Sequence, residues 1–234
     1  MAVKPVENLY NKIWQDQATA AAYTGGNLRI DLANNVVEPG RRLLDLGCGD
    51  GVLGELLKSR FDEVAGIDVS EPALAAAKQR GVVTHQVNVD EEPLPFPDAH
   101  FDAVTCLDLI EHVFEPRVLV REIARVLALG GSLYIAFPNM RYALRIKEII
   151  AGRFPKTSGD IAYSYDGGHL HYYTPADVRA LLEEQHLVTA SQWGIVSNGV
   201  RRNWKYLLLK TLLPANLKRE FLSIEVLMKA IRQK

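Results

Sequence analysis

The sequence has few cysteines, no large excess of charge of either sign and no long apolar run. Only two of its 234 residues are cysteines, too few for a disulfide framework and not spaced like metal ligands. The net charge of −1 gives no overall attraction to nucleic acid. No run approaches the roughly 18 apolar residues of a membrane span, and the N-terminus lacks the apolar core of a signal peptide. These absences predict a reduced, cytoplasmic protein.

The composition is that of a globular chain, with 48% hydrophobic and 24% charged residues. Strand and helix patterns alternate from residue 42 to 137, which predicts an α/β fold with a parallel sheet and helices on both faces. We predict one domain over residues 1–234. Its additions to the core are an N-terminal helical segment (1–38), an acceptor-site insertion (138–173) and a basic amphipathic segment (201–220).

The most informative stretch is LLDLGCGDG, residues 43–51. An apolar strand runs into three glycines at alternate positions, Gly47, Gly49 and Gly51, and a helical pattern follows. Glycine lets the backbone approach a ligand closely and adopt positive φ. The spacing differs from the dinucleotide pattern G-x-G-x-x-G, and acidic residues such as Asp45 would repel a pyrophosphate. The loop therefore favours a ligand that is cationic or carries hydroxyl and amino donors.

Acidic residues also end the next two predicted strands. Asp68 follows the glycines by about twenty residues, where this kind of fold places a carboxylate that binds ribose hydroxyls. The alternative is that Asp68 caps the following helix, although Ser70 suits that position better. A third strand, VVTHQVNV, leads to Asp90. The pattern predicts a row of carboxylates along one edge of the sheet.

These segments carry a family resemblance. Taken in order, they resemble the motifs of class I S-adenosylmethionine-dependent methyltransferases, most closely the small-molecule group that includes ubiquinone-biosynthesis O-methyltransferases and MetW-like proteins. The resemblance covers residues 40–138 well and HLHYYTPADVRALLEEQHL more loosely. It implies a Rossmann-like sheet of seven mostly parallel strands and S-adenosylmethionine as cofactor. The motifs are LLDLGCGDG, GIDVS, DEEPLPFPDAHFDAVTCLDLIEHV and RVLALGGSLYIAFPN.

The resemblance also assigns roles to residues. Asp45 and the glycine loop would contact the methionine part of the cofactor, Asp68 the ribose, Asp90 the adenine amino group, and Leu107 the cofactor through its backbone. The acidic lining suits a donor that carries a sulfonium and an ammonium group. The predicted cofactor-binding set is Asp45, Gly47, Cys48, Gly49, Gly51, Asp68, Val69, Asp90, Glu91 and Leu107.

The pattern D-x-x-E-H, formed by Asp108, Glu111 and His112, is a candidate metal site. On a helix these positions share one face, and their oxygens would suit a hard divalent cation such as Mg²⁺ or Mn²⁺. The pattern resembles the E-x-x-E-H metal motif of quinone and small-RNA O-methyltransferases, with Asp in the first place. The alternative is a polar helix end that binds no metal and turns His112 toward the acceptor.

His169 and His171 form a second candidate cluster with neighbouring tyrosines. In an extended segment the two histidines point to the same side, and one could complete the metal site or act as a base. The alternative is that their rings pack the insertion against the sheet. We take His112, His169 and His171 as the catalytic candidates and His85, His100 and His186 as structural or solvated. The predicted acceptor-binding residues are Tyr163, Tyr165 and Tyr172.

A basic, apolar and aromatic segment lies near the C-terminus. Residues 201–219 contain six basic residues and no acidic one, and residues 141–156 are similarly basic. Such a segment could lie on a membrane surface or contact an anionic, lipid-linked substrate. It could equally be an ordinary amphipathic helix with its charges in water.

Together these observations predict methyl transfer to a small-molecule acceptor, at an oxygen of a sugar, a quinone or phenol, or a carboxylate. One alternative is a MetW-like partner protein that binds the cofactor without turnover. Another is a metal-dependent RNA 2′-O-methyltransferase, which the charge balance disfavours. We expect a monomer or a homodimer.

Overall fold

The computed structural model describes residues 5–17, 22–158, 165–196, 211, 214, 217 and 220–233. Seven strands form one sheet in the order β3-β2-β1-β4-β5-β7-β6. The first five strands in this order, from β3 to β5, pair with their neighbours in parallel, whereas β7 runs antiparallel to β5 and β6. This confirms the predicted Rossmann-like sheet. The strands are β1 (Arg42–Leu46), β2 (Glu63–Asp68), β3 (Val83–Gln86), β4 (Phe101–Leu107), β5 (Leu127–Pro138), β6 (Leu187–Ile195) and β7 (Glu225–Arg232).

Two of the helices, α4 and α7, begin at side-chain caps. The Ser70 hydroxyl accepts a hydrogen bond from the backbone N–H of Ala73, and Thr174 forms a capping box with Asp177. These caps satisfy backbone N–H groups that have no partner within the helix. The helices are α1 (Pro5–Gln17), α2 (Leu28–Val36), α3 (Val52–Leu57), α4 (Glu71–Gln79), α5 (Pro116–Val126), α6 (Ala143–Ile150) and α7 (Pro175–Glu183).

Two predicted boundaries are wrong. The stretch EPRVLVREIARVLALGG predicts a helix that ends at Gly130 and Gly131, but α5 ends at Val126 because Leu127 already begins β5 and pairs with Phe101. The third strand was predicted to reach residue 89, but β3 ends at Gln86. Local apolar patterns do not distinguish the end of a helix from the start of a buried strand.

Buried apolar residues cover both faces of the sheet. Leu44 and Leu46 of β1 belong to one buried cluster, and Leu43 belongs to the other. This follows from the strand geometry, since successive side chains point to opposite faces. Because β1, β2 and β4 run parallel, their carboxyl ends lie at the same edge of the sheet. This edge carries Asp45, Asp68 and Leu107.

The predicted additions to the core are described in part. The N-terminal segment contains the two helices α1 and α2, and α1 packs on α4, where the Asn11 side chain accepts a hydrogen bond from Glu71 N at 3.1 Å. The insertion contains α6, but residues 159–164 lie outside the described residues. Most of the basic segment 201–220 also lies outside them. In the described part of the chain, no helix is long and apolar enough to cross a membrane.

Candidate active site

A cleft of about 300 Å³ lies at the carboxyl ends of β1, β2 and β4. Its position agrees with the general rule that ligands of α/β sheets bind beyond the strand ends. Two predicted residues are absent from its lining: Gly51 packs against Ala77 of α4, and Glu91 accepts a hydrogen bond from Asn88. The predicted cofactor residues that do line it are Asp45, Gly47, Cys48, Gly49, Asp68, Val69, Asp90 and Leu107.

The glycine loop is held in place by Asp68. Gly49 has φ +52°, and its backbone N–H donates to Asp68 Oδ2 at 2.9 Å. The other carboxylate oxygen, Oδ1, accepts from Ser70 N at 2.9 Å. Burial raises the pKa of Asp68, and the hydrogen bonds from Ser70 and Gly49 oppose that rise. Asp68 thus joins the loop after β1 to the loop after β2, and it faces the cleft.

Asp45 is almost fully buried at the floor of the cleft. Its carboxylate accepts a hydrogen bond from Thr105 Oγ1 at 2.7 Å. Burial raises the pKa of Asp45 to about 7, because a carboxylate loses solvation in an apolar environment. A cationic ligand in the cleft would stabilise its ionised form.

Helix α1 forms the opposite wall of the cleft, which the sequence analysis did not foresee. Val6, Tyr10 and Trp14 line it at intervals of four residues, so they lie on one face of the helix. A Cβ on Gly49 would stand 2.6 Å from Cζ2 of the Trp14 ring. Burial, together with the nearby acid Asp68, raises the pKa of Tyr10 well above its usual value. In the sequence, the contribution of α1 to the cleft was indicated by the spacing of its apolar residues alone.

The segment 108–112 is a turn, and the prediction that Asp108, Glu111 and His112 share one face of a helix is wrong. Asp108 has φ +49°, in the left-handed region, and this breaks the chain direction directly after β4. Its carboxylate forms an ion pair with Arg29 of α2. Among the described residues, the potential metal ligands that lie together are Glu111, His112 and His169, and Asp108 is not one of them.

His169 takes the place that Asp108 was expected to fill. One potential ligand atom from each of Glu111, His112 and His169 lies within 4.8 Å of the others. The two imidazole rings meet edge to face with centroids 4.7 Å apart. Glu111 is fully buried, and neither of its carboxylate oxygens has a hydrogen-bond partner. Burying a carboxyl group without hydrogen-bond partners costs folding free energy. Such a group therefore indicates a functional role at this position.

The charges of this cluster follow from burial. Burial raises the pKa of Glu111 to about 8. Burial, with repulsion from His169, lowers the pKa of His112 to about 4, and burial likewise lowers the pKa of His169. Both imidazoles are therefore neutral near pH 7, as metal ligands must be. A carboxylate with two neutral imidazoles fits a divalent cation, which would supply the partner that Glu111 lacks.

The remaining predicted residues lie around this cluster or outside the described residues. His171 Nε2 lies 2.9 Å from the Val113 carbonyl, its ring stacks on Tyr173, and it is not part of the cluster of Glu111, His112 and His169. The Tyr172 ring contacts Phe154 edge to face at 4.9 Å. Tyr163 and the side chain of Tyr165 lie outside the described residues. His171 thus fits a packing role better than the catalytic role predicted for it.

Known proteins resemble this chain over most of its length. The family model of MetW, described as methionine biosynthesis protein MetW, matches residues 29–216. A ubiquinone biosynthesis O-methyltransferase of Alkalilimnicola ehrlichii is 32% identical over 71% of this chain and 68% of its own length. One from Hahella chejuensis is 33% identical over 87% of both chains.

A solved structure has the same fold at low sequence identity. It is geranyl diphosphate C-methyltransferase from Streptomyces coelicolor A3(2), in complex with Mg²⁺, geranyl diphosphate and S-adenosyl-L-homocysteine. It is 15% identical, with a TM-score of 0.62 over 98% of this chain and 99% of that one. The likeness establishes the architecture, and it also shows that this architecture accommodates methyl transfer to carbon.

Proposed function

We propose that this chain, which belongs to the MetW family and is a class I S-adenosylmethionine-dependent methyltransferase, transfers the donor's methyl group to an oxygen atom of a small-molecule acceptor. One observation carries the choice of oxygen: a buried carboxyl without hydrogen-bond partners, Glu111, lies beside two neutral histidines, of which His112 lines the cleft. A hydroxyl acceptor must lose a proton, and such a cluster can take it or stabilise the oxyanion. The O-methyltransferase names of the curated relatives support the same choice.

The cleft supplies complementary charge for the donor. Asp45 and Asp68 line it at the carboxyl ends of β1 and β2, and Asp90 lines it from the loop after β3. The donor carries a sulfonium, an ammonium and two ribose hydroxyls, all of which carboxylates bind. We assign the methionine part to Asp45 and the glycine loop, the ribose to Asp68 and the adenine amino group to Asp90.

The residues of the chain contribute mainly by positioning. The sulfonium methyl is already activated, so transfer requires alignment of the acceptor oxygen with the methyl carbon. Holding two reactants in attack geometry can lower the activation barrier by about 7–11 kcal/mol. Tyr10 and Trp14 of α1 line the cleft and would cover part of the bound donor.

Glu111, His112 and His169 would hold a divalent cation. Two imidazoles with one carboxylate favour Mn²⁺ over Mg²⁺, since Mg²⁺ prefers oxygen ligands alone. A bound cation supplies Lewis acidity, which lowers the pKa of a hydroxyl that binds to it. Without a cation, the neutral imidazoles themselves are bases of the kind that accept a hydroxyl proton.

The surface beside the site supports an anionic, lipid-linked acceptor. Helix α6 and the residues after it expose apolar side chains, among them Ile150 (82% exposed) and Phe154 (54% exposed). The exposed cations Lys147, Arg153 and Lys156 lie in the same stretch of sequence. Phe154 contacts Tyr172, which lies close in the chain to His169. An apolar surface with cations beside it suits the interface of an anionic membrane.

Product formation with defined acceptors tests the proposal. Purified protein is incubated with S-adenosylmethionine and a phenol, a sugar or a carboxylate, and S-adenosylhomocysteine is measured before and after chelation and with added Mn²⁺. We expect turnover with a hydroxyl acceptor, and loss of turnover in Glu111→Gln but not in the exposed control Glu92→Gln. Donor binding without product from any acceptor would indicate a cofactor-binding partner protein instead. Methylation of RNA would identify the other alternative.

A further inference from the structure

We infer that Thr157 and Asp166 are positioning residues that fix the tautomer of His169, so that its Nε2 lone pair faces Glu111. The inference deepens the proposed function, since this nitrogen is the one that would bind the cation or accept the acceptor's proton. It concerns hydrogen-bond directions alone, and it can therefore be tested without turnover.

Asp166 is the fixed end of a hydrogen-bond chain. The residue is fully buried, and its Oδ1 accepts from the backbone N–H groups of Thr157 and Ser158 at 2.7 and 2.8 Å. Its Oδ2 lies 2.8 Å from Thr157 Oγ1. Backbone N–H groups can only donate, and donors of this kind favour the ionised carboxylate, which can only accept. The Thr157 hydroxyl must therefore give its single proton to Asp166.

The direction of the next hydrogen bond follows. Thr157 Oγ1 lies 2.5 Å from His169 Nδ1. Because the hydroxyl proton is already committed to Asp166, the hydroxyl oxygen accepts and His169 Nδ1 donates. A neutral imidazole carries one proton, so Nε2 is left with a lone pair. That nitrogen lies 3.9 Å from Glu111 Oε1.

The same turn orients the second histidine. His112 Nδ1 lies 3.3 Å from the carbonyl oxygen of Gly168, which can only accept, so His112 also carries its proton on Nδ1. Asp166, Gly167 and Gly168 all have positive φ, and this tight turn places the Asp166 carboxylate and the Gly168 carbonyl together. One turn thereby leaves the Nε2 atoms of both histidines with a lone pair. Such outer hydrogen bonds orient ligating histidines in metal sites generally.

The experiment measures the tautomer directly. In protein labelled with ¹⁵N-histidine, the nitrogen shifts distinguish a proton on Nδ1 from one on Nε2, and His169→Gln assigns the signals. We expect His169 to carry its proton on Nδ1 in the natural protein and in Thr157→Ser, which keeps the hydroxyl. In Thr157→Val the preference should be lost. In Asp166→Asn the new amide can donate to Thr157, which then donates to Nδ1, so the proton should move to Nε2.

The functional readouts separate this inference from the proposed function. In Thr157→Val, Mn²⁺ affinity and turnover should fall about 10- to 100-fold, and Thr157→Ser should restore both, while donor affinity stays unchanged in each variant. A proton on Nε2 of His169 in the natural protein, or an unchanged tautomer in both Thr157→Val and Asp166→Asn, would overturn the inference. If the tautomers behave as expected but no variant or natural protein forms S-adenosylhomocysteine, the positioning stands and the proposed function fails. Asp166→Asn decides the matter should Thr157→Val not fold.

Discussion

The indole ring of Trp14 occupies the space beside Gly49 where any larger residue would place its Cβ. The ring carbon Cζ2 lies 2.6 Å from that position, closer than real Cβ contacts allow. The glycine is therefore required by the protein itself as well as by a ligand. It couples helix α1 to the loop that we assign to the donor.

Replacement of Gly49 by alanine should therefore abolish donor binding. The new methyl group would displace Trp14, and φ +52° is unfavourable for a residue with a Cβ. Isothermal calorimetry with S-adenosylhomocysteine measures the loss, and tryptophan fluorescence reports the displaced ring. Gly130→Ala is the matched control, because φ is +79° there and no atom lies within 4 Å of the added Cβ. Equal donor affinity in both variants would contradict the assignment of the donor to the glycine loop.

Replacement of Asp68 by alanine should weaken donor binding about 10- to 150-fold. This is the effect of losing a charged hydrogen bond of about 1.5–3 kcal/mol. The variant also releases the backbone N–H groups of Gly49 and Ser70, so part of the loss reflects a looser loop. Calorimetry with Asp98→Ala, whose side chain is exposed, provides the comparison. Unchanged donor affinity in Asp68→Ala would show that Asp68 does not bind the ribose.

The stability of the ligand-free protein should depend on Asp45 between about pH 4 and pH 7. Burial raises the folded-state pKa of Asp45 to about 7, above the usual 3.8, so the unfolded state ionises first as pH rises. The free energy of unfolding contributed by this group therefore falls across that window. Asp45→Asn keeps an acceptor for Thr105 and should flatten the profile measured by urea denaturation. An equally steep profile in the variant would show that another group is responsible.

Replacement of Glu111 by glutamine should separate stability from activity. The natural carboxyl group is fully buried without hydrogen-bond partners, so an amide, which ionises in neither the folded nor the unfolded state, should leave the melting temperature unchanged or raise it. Turnover should fall about 100-fold or more, which is the contribution of a general base or its equivalent. A variant that melts earlier and loses activity in proportion would point to a structural role for Glu111.

A charge introduced on the exposed surface of α6 should weaken binding to anionic vesicles. Ile150→Asp places an acid at the most exposed apolar position, next to Lys147 and Arg153. Sedimentation with vesicles containing phosphatidylglycerol should show loss of binding in this variant. Leu129→Asp alters a comparably exposed apolar residue on β5, outside α6, and should leave binding intact. Equal vesicle binding by both variants and the natural protein would exclude α6 from the interface.

The order of strands and helices and the acidic residues near the ends of β1 and β2 were predictable from the amino-acid sequence. Strand ends, helix caps and the alternate glycines are local patterns, and local backbone preferences fix them. Asp45, Asp68 and the capping residue Ser70 therefore lie where the pattern placed them. The local pattern gave a wrong prediction where it fitted both a helix and a turn. Asp108 adopts a positive φ, and the segment that follows it forms a turn in place of the expected helix.

The tertiary structure alone decided which distant residues meet. Trp14 reaches Gly49 because α1 packs across the sheet edge, and His169 reaches Glu111 because backbone hydrogen bonds join residues 170 and 171 to the carbonyl of residue 111. The hydrogen-bond chain from Asp166 through Thr157 is equally invisible in the sequence. Spacing along the chain constrains neighbours within a turn or a strand. Contacts between separate elements depend on how the whole core packs, which no local pattern records.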